Sequence, residues 1–189
     1  MEESKRRSFD LLTLGQVLLR LSPPDNDRLS RGDTFVKQVG GAELNVAVGA
    51  SLLGLRTGVI SKLPSHDIGS FMKGKIRSFG VSDDFFMYDD SPSARVGVYF
   101  YENGAYPRKP KVIYDRLNSS FFSLNIDEIP EEVYTASKCF HTTGITLALS
   151  PQIRETAIEM IKRFKEAGTL VSFDVNFRGN LWSGDEARE

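Results

Sequence analysis

Residues 40–55 read GGAELNVAVGASLLGL, a diglycine followed by small and apolar residues up to Gly54. The pattern predicts a helix with almost no polar face, which we expect to be buried on all sides. Gly54 suits the left-handed position after a helix, where Leu55 can fold back on the last turn. Glu43 and Asn45 are the polar exceptions in the first turn. From composition alone the segment is equally a plain core helix or part of a site that uses backbone N–H groups and a side-chain amide.

The composition is that of an ordinary globular protein, with 189 residues, 40% hydrophobic and 26% charged. A net charge of −1 argues against binding to nucleic acid or to a membrane surface through bulk charge. No apolar run is long enough to span a membrane, and no apolar signal segment follows the charged N-terminus. Together with a single cysteine, Cys139, these features predict a cytoplasmic protein without an internal disulfide.

Cysteine, histidine and the common catalytic motifs do not indicate a metal site or a nucleophilic active site. Cys139 lies in an apolar segment and is interpreted as a small core residue rather than a nucleophile. The two histidines and the cysteine are far apart in sequence and make no metal-ligand set. We find no Ser-His-Asp pattern, no Walker loop and no G-x-G-x-x-G spacing.

Strand and helix patterns alternate along most of the chain, after a lead-in at residues 1–8 that we predict to be disordered. This alternation is typical of an α/β domain with a mostly parallel sheet. The predicted strands are at 9–15, 57–63, 85–88, 138–142 and 170–173, and the predicted helices are at 40–55, 68–79 and 150–167.

Two segments break this alternation and predict a separate small β-element. One contains strand patterns at 17–21 and 34–39, and the other is a hairpin with arms at 94–101 and 111–116. Tyr99 lies on one face of the first arm, and Tyr114 and Arg116 share a face of the second. Such a face either contacts something polar or is simply a solvated sheet surface.

The end of the sequence predicts a further helix. Ser183 and Glu186 have the spacing of a capping box, and the chain ends shortly after it. We therefore expect residues 1–189 to be the N-terminal part of a longer protein. We also expect folding of this part alone to be marginal, because one flank of its sheet lacks neighbours.

Polar segments follow three of the predicted strands, at 15–16, 142–145 and 174–178. Ligands of open α/β sheets bind beyond the carboxyl ends of the strands, and the diglycine brings helix N–H groups to the same rim. Arg116 and Arg178 add planar charged donors that can bind a carboxylate or phosphate. Asp174 is either catalytic or a residue that orders the loop after its strand. The rim predicts a pocket suited to hydroxyl groups.

The segment GGAELNVA at 40–47 resembles the N-terminal signature of the ribokinase-like, PfkB-type carbohydrate kinases. The resemblance covers nearly the whole chain after residue 8. Within the family it is strongest to 2-keto-3-deoxygluconate kinases, through LLRLSPP at 18–24, KVIYDR at 111–116, TGITLALS at 143–150 and DVNFR at 174–178.

The resemblance implies a three-layer, doubly wound, mostly parallel α/β domain with a small β-sheet lid. The chain, residues 1–189, would be its N-terminal part, with the lid at about 17–39 and 94–116 covering the sugar and forming a homodimer interface. Gly41 and Asn45 would bind sugar hydroxyls, Ile145 would line the pocket and Arg178 would bind the far end of the substrate. The residues that would reach down from the lid are Tyr99, Tyr114 and Arg116.

In the family a sugar hydroxyl attacks the γ-phosphate of ATP with Mg²⁺ present, aided by an Asp base. The Gly-Ala-Gly-Asp segment that supplies this base is absent from residues 1–189, as is the nucleotide-binding region. We therefore expect no catalytic residue and no metal ligand in this chain, ATP and Mg²⁺ bound mainly by the missing C-terminal part, and no activity of the chain alone. Gln16 stands where family members usually carry Glu.

The two arginines favour a sugar acid as the substrate, because a neutral sugar needs no paired charge. Two other hypotheses about the function of the chain remain open. One is a kinase for a neutral sugar such as fructose, and the other is a non-catalytic sugar-binding or dimerisation fragment.

Overall fold

The computed structural model describes residues 7–188. Most of the predicted disordered lead-in at 1–8 lies outside the described residues. The prediction fails for Arg7, whose guanidinium donates to the Ser137 carbonyl at 2.6 Å and to the Thr169 hydroxyl at 3.0 Å. No helix in the described part of the chain is long and apolar enough to cross a membrane.

The described strands and helices follow the predicted order with small shifts at their ends. Short 3₁₀ turns occur at Pro24–Asn26, Ser120–Ser123 and Ile126–Glu128. The elements are β1 (Phe9–Leu14), β2 (Leu18–Ser22), β3 (Val36–Gly40), α1 (Ala42–Leu52), β4 (Thr57–Pro64), α2 (Asp67–Arg77), β5 (Val81–Ser82), β6 (Phe86–Asp89), β7 (Gly97–Glu102), β8 (Lys111–Asp115), α3 (Val133–Ala136), β9 (Ser137–Thr143), α4 (Gly144–Leu147), α5 (Pro151–Glu166) and β10 (Leu170–Asp174).

The main sheet has the order β10-β9-β1-β4-β5, with β6 also paired to β4, and all of these pairings are parallel. The predicted mostly parallel sheet is confirmed, although β5 was not predicted. On one face, Leu12 and Phe140 pack with α5 through residues such as Phe164. On the other face, α1 and α2 pack through residues such as Leu44 and Met72. The sheet therefore lies between two helical layers, as the α/β alternation requires.

The segments that break the alternation form a second sheet, with the order β3-β2-β7-β8. The hairpin of β7 and β8 is antiparallel, as predicted, and it pairs Tyr99 with Tyr114, whereas β2 and β7 run parallel. Because β2 follows β1 after a short connection at 15–17, the second sheet is held close to the carboxyl end of the main sheet.

The prediction that α1 is buried on all sides is wrong. Leu44 and Ala47 are buried against the sheet, but Leu52 is 74% exposed and Leu53 is 85% exposed. A side chain added at Gly49 would meet nothing within 4 Å. A helix whose residues are apolar on both sides gives no sequence signal for which side is buried. Within residues 7–188, only the side of α1 that faces the sheet is packed against other residues.

The helix ends follow the local signals in the sequence. Gly54 has a φ of +90°, which confirms the left-handed position after α1. Ser150 caps α5 by accepting a hydrogen bond from the Ile153 N–H, with Pro151 at the first helical position. Ser183 and Glu186 exchange the hydrogen bonds of a capping box, but residues 184–188 form turns rather than an α-helix.

Candidate functional site

A cavity of about 190 Å³ lies where the carboxyl end of the main sheet meets the second sheet. A neighbouring cavity of about 500 Å³ shares Tyr114, Arg116, Ile145 and Arg178 with it. Every residue that the sequence predicted as substrate-binding lines the smaller cavity. Its full lining is Gln16, Leu18, Gly41, Ala42, Glu43, Asn45, Tyr99, Tyr114, Arg116, Ile145 and Arg178.

The diglycine brings three elements together at the start of α1. Gly41 has a φ of +149°, and a Cβ there would lie 2.7 Å from the Gln16 carbonyl oxygen. A Cβ at Gly40 would collide with the Tyr99 hydroxyl of β7. The two glycines therefore allow the main chain to pass between β1 and the second sheet. The first-turn N–H groups, which have no partner within a helix, are thereby brought to the cavity wall.

The second sheet supplies an aromatic and cationic wall. The rings of Tyr99 and Tyr114 lie 5.8 Å apart between their centroids. The guanidinium carbon of Arg116 lies 5.7 Å from the centroid of the Tyr114 ring. Burial raises the pKa of Tyr99, so this phenol remains protonated and can donate a hydrogen bond. Burial lowers the pKa of Arg116, while Tyr114 and Glu43 act in the opposite direction.

Glu43 is a buried carboxyl that the sequence analysis noted only as a polar exception in α1. It is 2% exposed, and its Oε1 accepts hydrogen bonds from the hydroxyls of Thr143 at 2.6 Å and Thr146 at 2.7 Å. Burial raises the pKa of Glu43, and the two hydroxyls partly offset that rise. A Cβ at Gly15 would collide with this carboxyl group. Glu43 thus connects α1 to the end of β9 and to α4, which carries Ile145.

Gln16 also lines the cavity and is absent from the predicted set, as are Leu18 and Ala42. Its amide nitrogen donates to the Ser119 hydroxyl at 2.7 Å and to the Arg116 carbonyl at 3.2 Å. Its amide oxygen accepts from Arg116 Nε at 2.7 Å. The sequence signals were the position of Gln16 directly after Gly15 at the rim and the polar character of Glu43 in the otherwise apolar first turn of α1.

The loop after β10 contains the last predicted residues. Asp174 Oδ1 accepts a hydrogen bond from the Asn176 N–H at 2.9 Å, and Asn176 has a φ of +38°. This geometry supports the loop-ordering interpretation of Asp174, which does not line the cavity. Arg178 is exposed and lines both cavities. Cys139 is partly buried, and this raises the pKa of its thiol, which disfavours the reactive thiolate.

Residues 8–189 match the model of the pfkB family of carbohydrate kinases. The chain belongs to this family. It is 39% identical over 180 residues to a 2-dehydro-3-deoxygalactonokinase of Haloferax volcanii, with 95% of this chain and 56% of that protein covered.

Solved structures agree with this assignment. A 2-dehydro-3-deoxygluconokinase of Thermotoga maritima superimposes with a TM-score of 0.88 at 35% identity, over 94% of this chain and 54% of that one. An uncharacterized sugar kinase of Pyrococcus horikoshii in complex with ATP gives 0.79 at 27% identity, over 94% of this chain and 57% of that one. The ribokinase-like α/β fold is confirmed. The chain spans about half the length of these relatives.

Proposed function

We propose that this chain is the sugar-binding part of an ATP-dependent kinase for 2-keto-3-deoxygluconate. The observation that carries the proposal is the presence of Arg116 and Arg178 in one cavity together with tyrosine and amide groups. Membership of the family supports a carbohydrate kinase, and "2-dehydro" and "2-keto" name the same ketone, so the names of two relatives support a keto-deoxy sugar acid.

The charge of the cavity favours an acid over a neutral sugar. Arg116 is partly buried, and no ion pair involving it occurs among residues 7–188. Removing a guanidinium from water without a paired charge costs free energy, which a substrate carboxylate would offset through a bidentate contact. Fructose offers no such compensation.

The proposed roles follow the position of each side chain. Gly41, through its N–H, and Asn45 bind sugar hydroxyls at the start of α1, and Ile145 packs against the carbon skeleton. Tyr99, Tyr114 and Arg116 bind from the second sheet, which with the segments 17–39 and 94–116 acts as a lid. Arg178 binds the end of the substrate that lies toward the larger cavity. These are proposals for residues that share one cavity wall.

In the proposed reaction a sugar hydroxyl attacks the γ-phosphorus of ATP and a new P–O bond forms while the bond to the bridging oxygen breaks; ADP leaves with that oxygen, and the hydroxyl proton passes to a base. Among residues 7–188 no three His, Cys, Asp or Glu side chains are grouped to hold a metal ion. The sequence also lacks Gly-Ala-Gly-Asp. The 189-residue chain alone is therefore proposed to bind the sugar without phosphorylating it. We further propose a cytoplasmic location and a homodimer formed through the lid.

Substitution of the two arginines tests the proposal. Arg116→Ala and Arg178→Ala should each weaken the binding of 2-keto-3-deoxygluconate by about 10- to 100-fold, the size expected for a hydrogen bond to a charged group. Binding of fructose should change by less than about threefold. Arg77→Ala, on the surface of α2, is the matched control and should change neither. Equal small losses for both sugars would contradict an acid substrate.

A further inference from the structure

Glu43 and Arg116 lie in the wall of the same small cavity, one as a buried carboxyl and the other as a partly buried guanidinium. No ion pair joins Arg116 to an acidic side chain within residues 7–188. Burial raises the pKa of Glu43, and the charge of Arg116 acts in the opposite direction. The two groups therefore influence each other across the cavity without a direct ion pair.

The carboxyl of Glu43 has a position at which it can hold a proton. Its Oε1 accepts hydrogen bonds from the hydroxyls of Thr143 at 2.6 Å and Thr146 at 2.7 Å. Its Oε2 lies against Gly15, directly after β1. Because Oε1 is already the acceptor for two hydroxyls, a proton that joins the carboxyl goes to Oε2. Glu43 can thus be ionised or neutral and keep both contacts.

The cavity is too small to keep two carboxylates apart. Its volume of about 190 Å³ is that of a sphere about 7 Å across. Two negative charges about 7 Å apart inside a protein repel each other by an amount that corresponds to at least about a tenfold change in affinity. A carboxylate that Arg116 binds here is stabilised by the guanidinium and stays ionised, so the charge that is disfavoured is that of Glu43.

The other titratable and charged groups around Glu43 do not replace it in this role. Within residues 7–188, the strands β1, β4 and β5 direct no charged side chain toward α1, since their residues on that side are apolar or carry hydroxyls. Burial raises the pKa of Tyr99 and Cys139 and lowers the pKa of His141, so all three are neutral near pH 7. The full set faces Glu43 from the second sheet, from β9 and from the loop after β10, and it consists of Tyr99, Tyr114, Arg116, Cys139, His141 and Arg178.

We propose that Glu43 takes up a proton from the solvent when the carboxylate of a sugar acid binds to Arg116. One proton adds to Oε2 as the carboxylate enters, and this offsets the negative charge that the cavity gains. The inference rests on the proposed function and deepens it, because an acid is then recognised by a cation that holds it and by a carboxyl that loses its charge. Fructose brings no charge and leaves the protonation of Glu43 unchanged.

The inference predicts that the affinity for the acid falls as the pH rises. The neutral form of Glu43 favours binding, so the affinity for 2-keto-3-deoxygluconate should fall by at least about tenfold from about pH 5 to about pH 9. In Glu43→Gln, which keeps an acceptor oxygen but cannot ionise, the fall should be less than about threefold. Calorimetric titration of the full 189-residue chain measures both. The matched control is Glu155→Gln on the exposed side of α5, which should behave as the wild type does.

Repeating the titration in buffers that differ in their enthalpy of ionisation counts the protons. At the pH where the affinity falls most steeply, the wild type and Glu155→Gln should take up about half a proton or more for each molecule of acid bound. Glu43→Gln with the acid, and the wild type with fructose, should take up almost none. A merely structural role for Glu43 would change the affinity of both sugars and leave the number of protons as it is.

The outcomes separate this inference from the proposed function. If the wild type binds the acid without proton uptake, or if the uptake persists in Glu43→Gln, the inference is overturned and the proposed function stands. If Glu43→Gln fails to fold by circular dichroism, the side-chain carboxyl ¹³C resonance of Glu43 in the wild type decides: its titration should move to higher pH when the acid is added, and an unchanged titration overturns the inference. If the wild type binds no sugar acid, the proposed function and the inference both fail.

Discussion

At the scale of single residues, Glu43 shows how a carboxyl can stabilise a site from within. One of its oxygens accepts hydrogen bonds from the hydroxyls of Thr143 and Thr146, and so Glu43 ties α1 to the end of β9 and to α4. The hydroxyls depend on this acceptor, because a buried donor left without a partner costs free energy.

Removing the carboxyl should therefore destabilise the fold. Glu43→Ala should lower the free energy of unfolding by about 2–4 kcal/mol, since it leaves a cavity and two unpaired hydroxyls. Glu43→Gln keeps an acceptor oxygen and should cost less than about 1 kcal/mol. Urea unfolding measures both, with Glu155→Ala on the exposed side of α5 as the control. A Glu43→Ala variant as stable as the control would contradict this role.

The raised pKa of Glu43 also predicts a pH dependence of stability. The unfolded carboxyl has its ordinary pKa, 4.5, while burial keeps the folded carboxyl protonated to higher pH. As the pH rises above 4.5, the unfolded state releases its proton first, so the contribution of Glu43 to stability falls. The difference in unfolding free energy between wild type and Glu43→Gln should thus shift against the wild type from pH 4.5 to pH 7. A shift in the opposite direction would show that the folded pKa is lowered.

Much of the site was predictable at this scale because glycines, arginines and tyrosines at strand ends are visible in the sequence. Gly41 and Arg116 could be placed by motif and by strand face. Gln16 and Glu43 could not, because their roles depend on partners about 100 positions away, at Arg116 and at Thr143. Spacing along one chain does not report such contacts.

At the scale of elements, α1 is the clearest difference between pattern and structure. Its apolar residues predict burial all round, but a helix lying on a sheet buries only the side that contacts the strands. Leu44 and Ala47 meet the sheet, while Leu52 and Leu53 do not. The positions of strands were predicted more reliably than the buried side of α1, because a strand of the parallel sheet is recognised by its own short apolar run.

Paired truncations of α1 test this orientation. Leu44→Ala should lower the free energy of unfolding by about 2–5 kcal/mol, because it removes packed methyl groups and leaves a cavity. Leu52→Ala, on the exposed side, should change it by less than about 0.5 kcal/mol. Both variants keep helix propensity, so they serve as controls for each other in urea unfolding. Equal costs at the two positions would mean that the outer side of α1 is also packed.

At the scale of the whole molecule, the second sheet has an inner face toward the cavity and an outer face with exposed apolar groups. Phe100 pairs with Ile113 across β7 and β8, on the opposite face from Tyr99 and Tyr114, and Phe35 contacts Phe100 edge-on. Phe35 and Ile113 remain exposed. Exposed apolar groups on one sheet face are typical of a subunit interface, and they support the proposed homodimer.

A charge on the outer face should disrupt that dimer. Ile113→Glu should shift the sedimentation mass of the chain from dimer to monomer, because a buried interface does not tolerate an unpaired carboxylate. Ile158→Glu, on the exposed surface of α5, is the control and should leave the mass unchanged. If Ile113→Glu still sediments as a dimer, the interface lies elsewhere on the chain. If the wild type sediments as a monomer, the proposed homodimer is contradicted.

The proposal that the cavity selects a sugar acid is tested most directly by calorimetric titration of the wild-type chain with 2-keto-3-deoxygluconate and, separately, with fructose. The acid should bind at least about tenfold more tightly than fructose, and added salt should weaken it because the attraction is between charges. Fructose binding as tight as that of the acid, or an acid affinity unchanged by salt, would contradict a cavity built around Arg116 and Arg178.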